Sequence, residues 1–298
     1  MKVKIVGGPS STKLAELISL QGNLPIVRVG YKRFPDGEFY FRFEEDIEGQ
    51  DLLIVQSLYP PSDAHILELL MMIHGAKDLK AGSIGLFIPY LAYSRQDQRY
   101  LSGETISSAM LADLIQATGA SYLYTVDIHD KAVLHRYRIP AFNLTASKEL
   151  ALYFERKGLR DPIIIAPDDE EDARERARVA AETIKGEYDC LTKRRDRQTG
   201  EIRTLEKRLR VSGRDAIIID DIISTGGTAA NAVRILKKQG ARRVFVGATH
   251  ALLIGNALEL LKEAGADEVV GTDSVPGDVA KVTTANLILK ALEEHRWL

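Results

Sequence analysis

Short apolar runs recur along the chain at residues 3–6, 26–29, 52–56, 84–88 and 122–126, and again at 163–166, 217–220, 244–248 and 268–271. Continuous apolar, β-branched runs of this length suit strands covered on both faces. Between many of them the period becomes helical. Residues 64–77 place Ile66, Leu69, Leu70 and Ile73 on one face, 106–118 space Ala109, Met110, Asp113 and Ala117 at three and four, and 229–239 have helix-forming composition. Gly119, Gly240 and Gly265 each fall after an apolar helix and before the next strand, as helix-terminating glycines do. Strand and helix alternate through short connections, which predicts an α/β fold of mainly parallel sheets flanked by helices. Ligands of such sheets collect beyond the carboxyl ends of strands.

The pattern falls into two similar halves about a boundary near 140–146, and 298 residues suit two domains. The expected domains are 1–143 and 144–298, with the last helix able to pack back on the first. Repetition of sequence between them is too faint to demonstrate duplication. Lys plus Arg is 40 and Asp plus Glu 42, a net charge of −2 that gives no bulk attraction to nucleic acid or membranes. Any anion site must be local. The single cysteine, Cys190, excludes an intramolecular disulfide and a cysteine-based zinc site. No run of eighteen apolar residues occurs, and the chain opens on a strand-like segment rather than a signal sequence, so a soluble cytoplasmic protein is expected.

Residues 217–228 read Ile-Ile-Ile-Asp-Asp-Ile-Ile-Ser-Thr-Gly-Gly-Thr, a strand, a loop and the start of a helix. Gly226 and Gly227 allow a tight turn and close approach of backbone to a ligand, while Ser224, Thr225 and Thr228 add hydroxyl donors beside helix-terminal amides; such a loop favours phosphate. Asp220 and Asp221 repel phosphate but accept hydrogen bonds from sugar hydroxyls or bind a metal. No lysine follows the glycines as in a Walker loop. The alternative, an ordinary buried strand and turn, leaves two buried acids unexplained.

Other strand ends carry chemistry too. His129 and two carboxylates follow 122–126, and Asp168 follows 163–166; together they suit magnesium, which needs few protein ligands beside nucleotide phosphates. His129 taken alone reads equally as a hydrogen-bonded structural histidine. The acids following Asp168 open a helix, with Glu170 and Asp172 at i,i+4 spacing to Arg174 and Arg176, so most of that run reads as a solvated helix start. Arg95, Gln96 and Asp97 follow the strand at 84–88, with a guanidinium suited to phosphate or a base. Phe34-Pro-Asp-Gly-Glu38 is a turn, with Phe34 available for stacking and Asp36 and Glu38 as acceptors for an amino group. Lys193-Arg-Arg-Asp-Arg197 opens a basic segment with a Gln198-Thr-Gly200 turn, read as a mobile hairpin or arm closing over ATP rather than a nucleic-acid patch.

The 217–228 loop resembles the phosphoribosyl-pyrophosphate loop of the type I phosphoribosyltransferase fold. With Phe34-Pro-Asp-Gly-Glu38, Gln56-Ser57, Ile88-Pro-Tyr90, Arg95-Gln-Asp97, Thr125-Val-Asp-Ile-His129, Pro167-Asp168 and Lys193-Arg-Arg195, the chain resembles the ribose-phosphate pyrophosphokinase family over nearly its whole length, and in the short segment 100–104 its archaeal forms. The resemblance implies two similar type I phosphoribosyltransferase-like domains and transfer of the β,γ-diphosphoryl group of ATP to ribose 5-phosphate, releasing AMP. It implies that Asp220, Asp221, Ser224, Thr225, Gly226, Gly227, Thr228 and Arg195 hold ribose 5-phosphate, that His129 and Asp168 hold Mg2+, and that Lys193 and Arg195 act from the arm. Arg95, Gln96 and Asp97 would bind ATP with Phe34, Asp36, Gly37 and Glu38 of a neighbouring subunit, so a homo-oligomer is implied. Glu170 and Glu171 stand where the family often has glycines. The competing functions are a phosphoribosyltransferase that consumes the diphosphate product and a non-catalytic regulator of a true synthetase.

Overall fold

A computed structural model describes residues 3–195, 202–205 and 208–295, and for 193–195 and 202–205 the backbone alone. The chain forms two compact units, one running to Leu144 and taking in the segment from Thr283 onward, the other Thr145–Val282.

The first unit contains β1 (Lys4–Gly7), α1 (Thr12–Gly22), β2 (Val29–Arg33), β3 (Phe39–Phe43), β4 (Leu52–Val55), α2 (Ser62–Asp78), β5 (Ile84–Ile88), α3 (Ser107–Thr118), β6 (Tyr122–Val126) and β7 (Ala141–Leu144). Its sheet runs β1-β4-β5-β6-β7 with every pairing parallel. β4, β5 and β6 are buried at every residue, as continuous apolar strands between helices must be. The expected strand at 26–29 contributes only an isolated parallel bridge from Ile26 to Ile5, on the far side of β1 from β4. β2 and β3 form a separate antiparallel hairpin around the Phe34–Glu38 turn.

The second unit contains α4 (Ser147–Glu155), β8 (Ile163–Ala166), α5 (Glu171–Thr183), β9 (Glu187–Cys190), β10 (Thr192–Arg195), β11 (Ile202–Leu205), β12 (Asp215–Ile223), α6 (Gly227–Lys238), β13 (Arg243–Ala251), α7 (Ala257–Glu263), β14 (Glu268–Thr272) and β15 (Ala280–Val282). Its sheet runs β15-β14-β13-β12-β8-β9, again all parallel, and β10 pairs antiparallel with β11. The chain then enters α8 (Ala285–Glu294), which packs on α1 in the first unit.

One plan is used twice. A first strand (β1 or β8) leads through a helix to an edge segment (Ile26 or β9), then to an antiparallel hairpin. The next strand (β4 or β12) enters on the opposite side of the first, and later strands add outward. Strand order therefore reverses between β1 and β4, and between β8 and β12. Each reversal makes a crevice beyond the carboxyl ends of the two strands.

The first crevice is filled by the protein itself. Gln56, fully buried beyond β4, accepts from the Ser10 amide at 3.1 Å and donates to Glu68 at 3.1 Å. The Ser10 hydroxyl donates to the Ser57 carbonyl at 2.6 Å, and the Ser57 amide donates to the Ser11 hydroxyl at 2.8 Å. A Cβ built on Gly8 would stand 2.2 Å from Gln56 Oε1, so glycine is required for this closure.

Candidate functional site

The crevice between β8 and β12 carries the residues of the expected phosphate loop and the carboxylates. β12 delivers Asp220 and Asp221 at its carboxyl end, and the chain turns through Ser224 and Thr225 into α6. Gly226 is the N-cap of that helix at φ 78°, a left-handed conformation natural to glycine. A Cβ there would also meet the Cβ and carbonyl of Ala257 at 3.2 Å. Gly227 differs: its backbone is helical, and a Cβ would meet nothing within 4 Å. The fold does not need a glycine at this position, so the free space is available to a ligand. No side chain caps α6, which leaves its first-turn amides facing the crevice.

The loop is braced from behind. The amide of Leu253 donates to the Ile223 carbonyl and that of Ile254 to the Ser224 carbonyl, both at 3.0 Å. Sequence reasoning missed this strap, because its donors are backbone groups with no side-chain signature.

The acids at the strand ends are unequal. Asp221 is buried, and its Oδ1 accepts from Arg176 Nη2 at 3.1 Å; the same nitrogen lies 3.9 Å from Asp220. Asp220 is less enclosed and accepts from the Asp221 amide at 2.9 Å. Burial raises the Asp220 carboxyl well above the usual carboxylate range; the charge of Asp221 and a hydrogen bond with it add to the rise, Arg176 opposes it, and Asp168 pushes it further up. Asp168 follows β8, and its Oδ1 accepts from the Glu170 amide at 3.3 Å. Glu170 is the N-cap of α5 and Glu171 its first residue, both exposed at the acid-favouring end of the helix. Arg176, expected on a solvated helix start, is instead buried on the inner face of α5. Its signal was its place in the stripe Ala173, Ala177, Ala180, where a charged residue needs a buried partner.

In the first unit, Arg95, Gln96 and Asp97 follow β5, and His129 follows β6. These strands are neighbours, and Val126 N donates to the Pro89 carbonyl at 3.2 Å, so both loops leave the same edge of the sheet. Arg95 and His129 are exposed. Gln96 is held at the start of α3, its side chain accepting from Ser107 at 2.5 Å and its carbonyl from the Ser108 hydroxyl at 3.1 Å. Asp130 accepts from the Ala132 amide at 2.7 Å, which gives it a turn-capping role. In the Phe34–Glu38 turn, Gly37 has φ 93° and the Asp36 carboxylate accepts from the Glu38 amide at 3.1 Å. Arg33, Asp36, Gly37, Glu38, Leu67 and Met71 border a cavity of about 480 Å³ between the hairpin and α2.

Lys193 and Arg195 lie on β10, in register with Thr204 and Ile202 of β11. Their side chains, and the expected Gln198-Thr-Gly200 turn, lie outside the described residues. Among the described residues, no group of three or more His, Cys, Asp or Glu forms a metal cage, and no helix is long and apolar enough to cross a membrane.

Residues 3–119 match the family described as the N-terminal domain of ribose phosphate pyrophosphokinase, and residues 168–292 match the phosphoribosyl synthetase-associated domain. The ribose-phosphate pyrophosphokinase of Sulfurisphaera tokodaii is 40% identical over 284 residues, spanning 95% of this chain and 97% of the relative. The chain belongs to the ribose-phosphate pyrophosphokinase family. The Methanothermobacter thermautotrophicus pyrophosphokinase is 37% identical over 97% of this chain and all of its own length. The crystal structure of phosphoribosylpyrophosphate synthetase from Mycobacterium smegmatis superposes with a TM-score of 0.84 at 27% identity, covering 99% of both chains. Two units of parallel sheet flanked by helices are thus the architecture of this family member, and the relatives in archaea agree with the resemblance seen in the sequence.

Proposed function

We propose that this pyrophosphokinase transfers the β,γ-diphosphoryl group of ATP to the 1-hydroxyl of ribose 5-phosphate, giving 5-phosphoribosyl 1-pyrophosphate and AMP for nucleotide synthesis in the cytoplasm. The observation that carries this reading is the uncapped start of α6 beside Asp220 in one crevice, with open space at Gly227. The amides and hydroxyls from Ser224 to Thr228 take the 5-phosphate, and the acidic end of β12 takes the ribose hydroxyls. Arg195 is assigned to the same substrate.

Arg95, Gln96 and Asp97 bind ATP, together with Phe34, Asp36, Gly37 and Glu38 of a second subunit in a homo-oligomer. The hairpin supports this sharing, since Tyr31, Phe34 and Tyr40 stand exposed around its tip. Asp168 and His129 are assigned to Mg2+, which supplies charge neutralisation on the triphosphate. The donor set fits: Asp168, Asp220 and Asp221 stand at the carboxyl ends of the paired strands β8 and β12, oxygen donors of the kind magnesium takes.

The protein acts chiefly by orientation. The phosphate cradle and Asp220 fix the sugar so that its 1-hydroxyl meets the β-phosphorus in line with the departing AMP. Lys193 and Arg195 meet the charge developing on the transferred group and on AMP. The test is AMP formation from ATP and magnesium: it should require ribose 5-phosphate. Release of free pyrophosphate from the diphosphate donor and a base, without AMP formation, would point to a phosphoribosyltransferase instead.

A further inference from the structure

β12 alternates its side chains between two helical layers. Ile217 and Ile219 pack with Ala173 and Ala177 of α5, whereas Ile218 packs with Ala230 and Val233 of α6. Continuing the period of two sends Asp221 toward α5 and Asp220 toward the side where the phosphate loop enters α6. The contacts follow that alternation. Arg176, the charged member of the alanine stripe on α5, reaches Asp221 at 3.1 Å, and both residues are more than nine-tenths buried.

We infer that Arg176 is a positioning residue for the sugar: it takes Asp221 as its counterion and leaves Asp220 as the single carboxylate presented to the ribose hydroxyls. This rests on the proposed function, and it narrows the paired-acid expectation to one acid. A buried carboxylate without a partner would seek any nearby cation, and a buried guanidinium without Asp221 would close the remaining distance to Asp220, now 3.9 Å. Either loss misplaces Asp220. Arg176 touches no reactant in this arrangement; it acts through the two acids.

A double-mutant cycle with Arg176→Met and Asp221→Leu tests the assignment, because an ion pair can be replaced as a unit by apolar residues of similar size. Calorimetric binding of ribose 5-phosphate and steady-state AMP formation are measured on the full-length protein and its variants. Each single variant should weaken ribose 5-phosphate binding and raise its KM by at least tenfold, leaving the KM for ATP in place. A merely structural defect would lower the active fraction and move neither KM. The double variant should recover most of the binding lost by either single one. A double variant no better than Asp221→Leu alone would mean that Asp221 itself contacts the sugar, which overturns the inference. If the double variant fails to fold by circular dichroism, the exchange Arg176→Lys with Asp221→Glu replaces it. That pair should bind ribose 5-phosphate more tightly than Asp221→Glu alone, and equal or weaker binding overturns the inference. Should the wild type bind ribose 5-phosphate yet make no AMP, the proposed function falls while the binding cycle still decides the role of Arg176.

Discussion

Gly226 and Gly227 are adjacent, yet alanine should act on them in opposite ways. At Gly226 the backbone sits at φ 78°, and the new methyl would crowd Ala257 at 3.2 Å. The left-handed conformation alone costs about 1–2 kcal/mol for an L-residue. At Gly227 the backbone is helical and the space is open, so alanine should stabilise by about 0.5–1 kcal/mol through the lower entropy of the unfolded chain. That same methyl projects into the space assigned to the 5-phosphate. Losing one or two charge-assisted hydrogen bonds there costs about 1.5–3 kcal/mol, or roughly a 10- to 150-fold rise in the KM for ribose 5-phosphate. Thermal unfolding and AMP formation, measured on both variants, separate the effects: Gly226→Ala should melt below the wild type and Gly227→Ala at or above it. A Gly227→Ala enzyme with unchanged stability and unchanged KM for ribose 5-phosphate would refute the claim that this loop holds phosphate.

Lys193→Ala should lower turnover by about 10²–10³ without changing the melting temperature, as expected for one preorganised donor to developing charge. Mixing an Asp36→Ala preparation with an Arg95→Ala preparation, each inactive alone, should restore AMP formation if subunits share the ATP site; persistent inactivity after exchange argues for sites within single chains. Chelation of magnesium should abolish AMP formation, and adding the ion back should restore it. At the opposite end of β12, Asp215 is fully buried; burial would raise its carboxyl, but hydrogen bonds from Arg243, the Arg160 amide and Arg242 outweigh this and hold it low. Its stabilisation is therefore complete above about pH 4 and fades as the pH falls through the lower folded value. Asp215→Asn should cost about 3 kcal/mol and flatten the acid limb of the stability curve, read by denaturant unfolding across pH, with no change in the KM for ribose 5-phosphate.

What could be read from the chain alone follows burial. Strands covered on both faces, such as β5, β6 and β8, announce themselves as unbroken apolar runs, and their observed bounds match the expected ones. The edge strands do not. β7 is half-buried throughout, β9 begins with exposed Glu187 and Tyr188, and β15 has three residues, so none shows an apolar run. Pro35, Asp36 and Gly37 marked a turn, but β2 and β3 stayed hidden because their outer residues are charged or aromatic and exposed. Residues 217–228 stood out as a candidate phosphate loop because their chemistry is contiguous. The Arg176–Asp221 pair joins residues 45 positions apart, and local i,i+4 spacing pointed Arg176 toward Asp172 instead. Side-chain alternation along β12, combined with the alanine stripe, contains the missing information.

The sealed seam between β1 and β4 bears on how such a chain can change. Altering Gln56 alone strands the Ser10 amide and a carboxylate oxygen of Glu68; altering Ser11 alone takes away the hydroxyl to which the Ser57 amide donates. Each stranded group carries a penalty of about 1–3 kcal/mol, so reopening that seam by single steps runs uphill through unstable intermediates. In a plan used twice, such a lock works as a ratchet: the crevice between β8 and β12 keeps its room for a ligand, while its counterpart between β1 and β4 is committed to holding its own strands together.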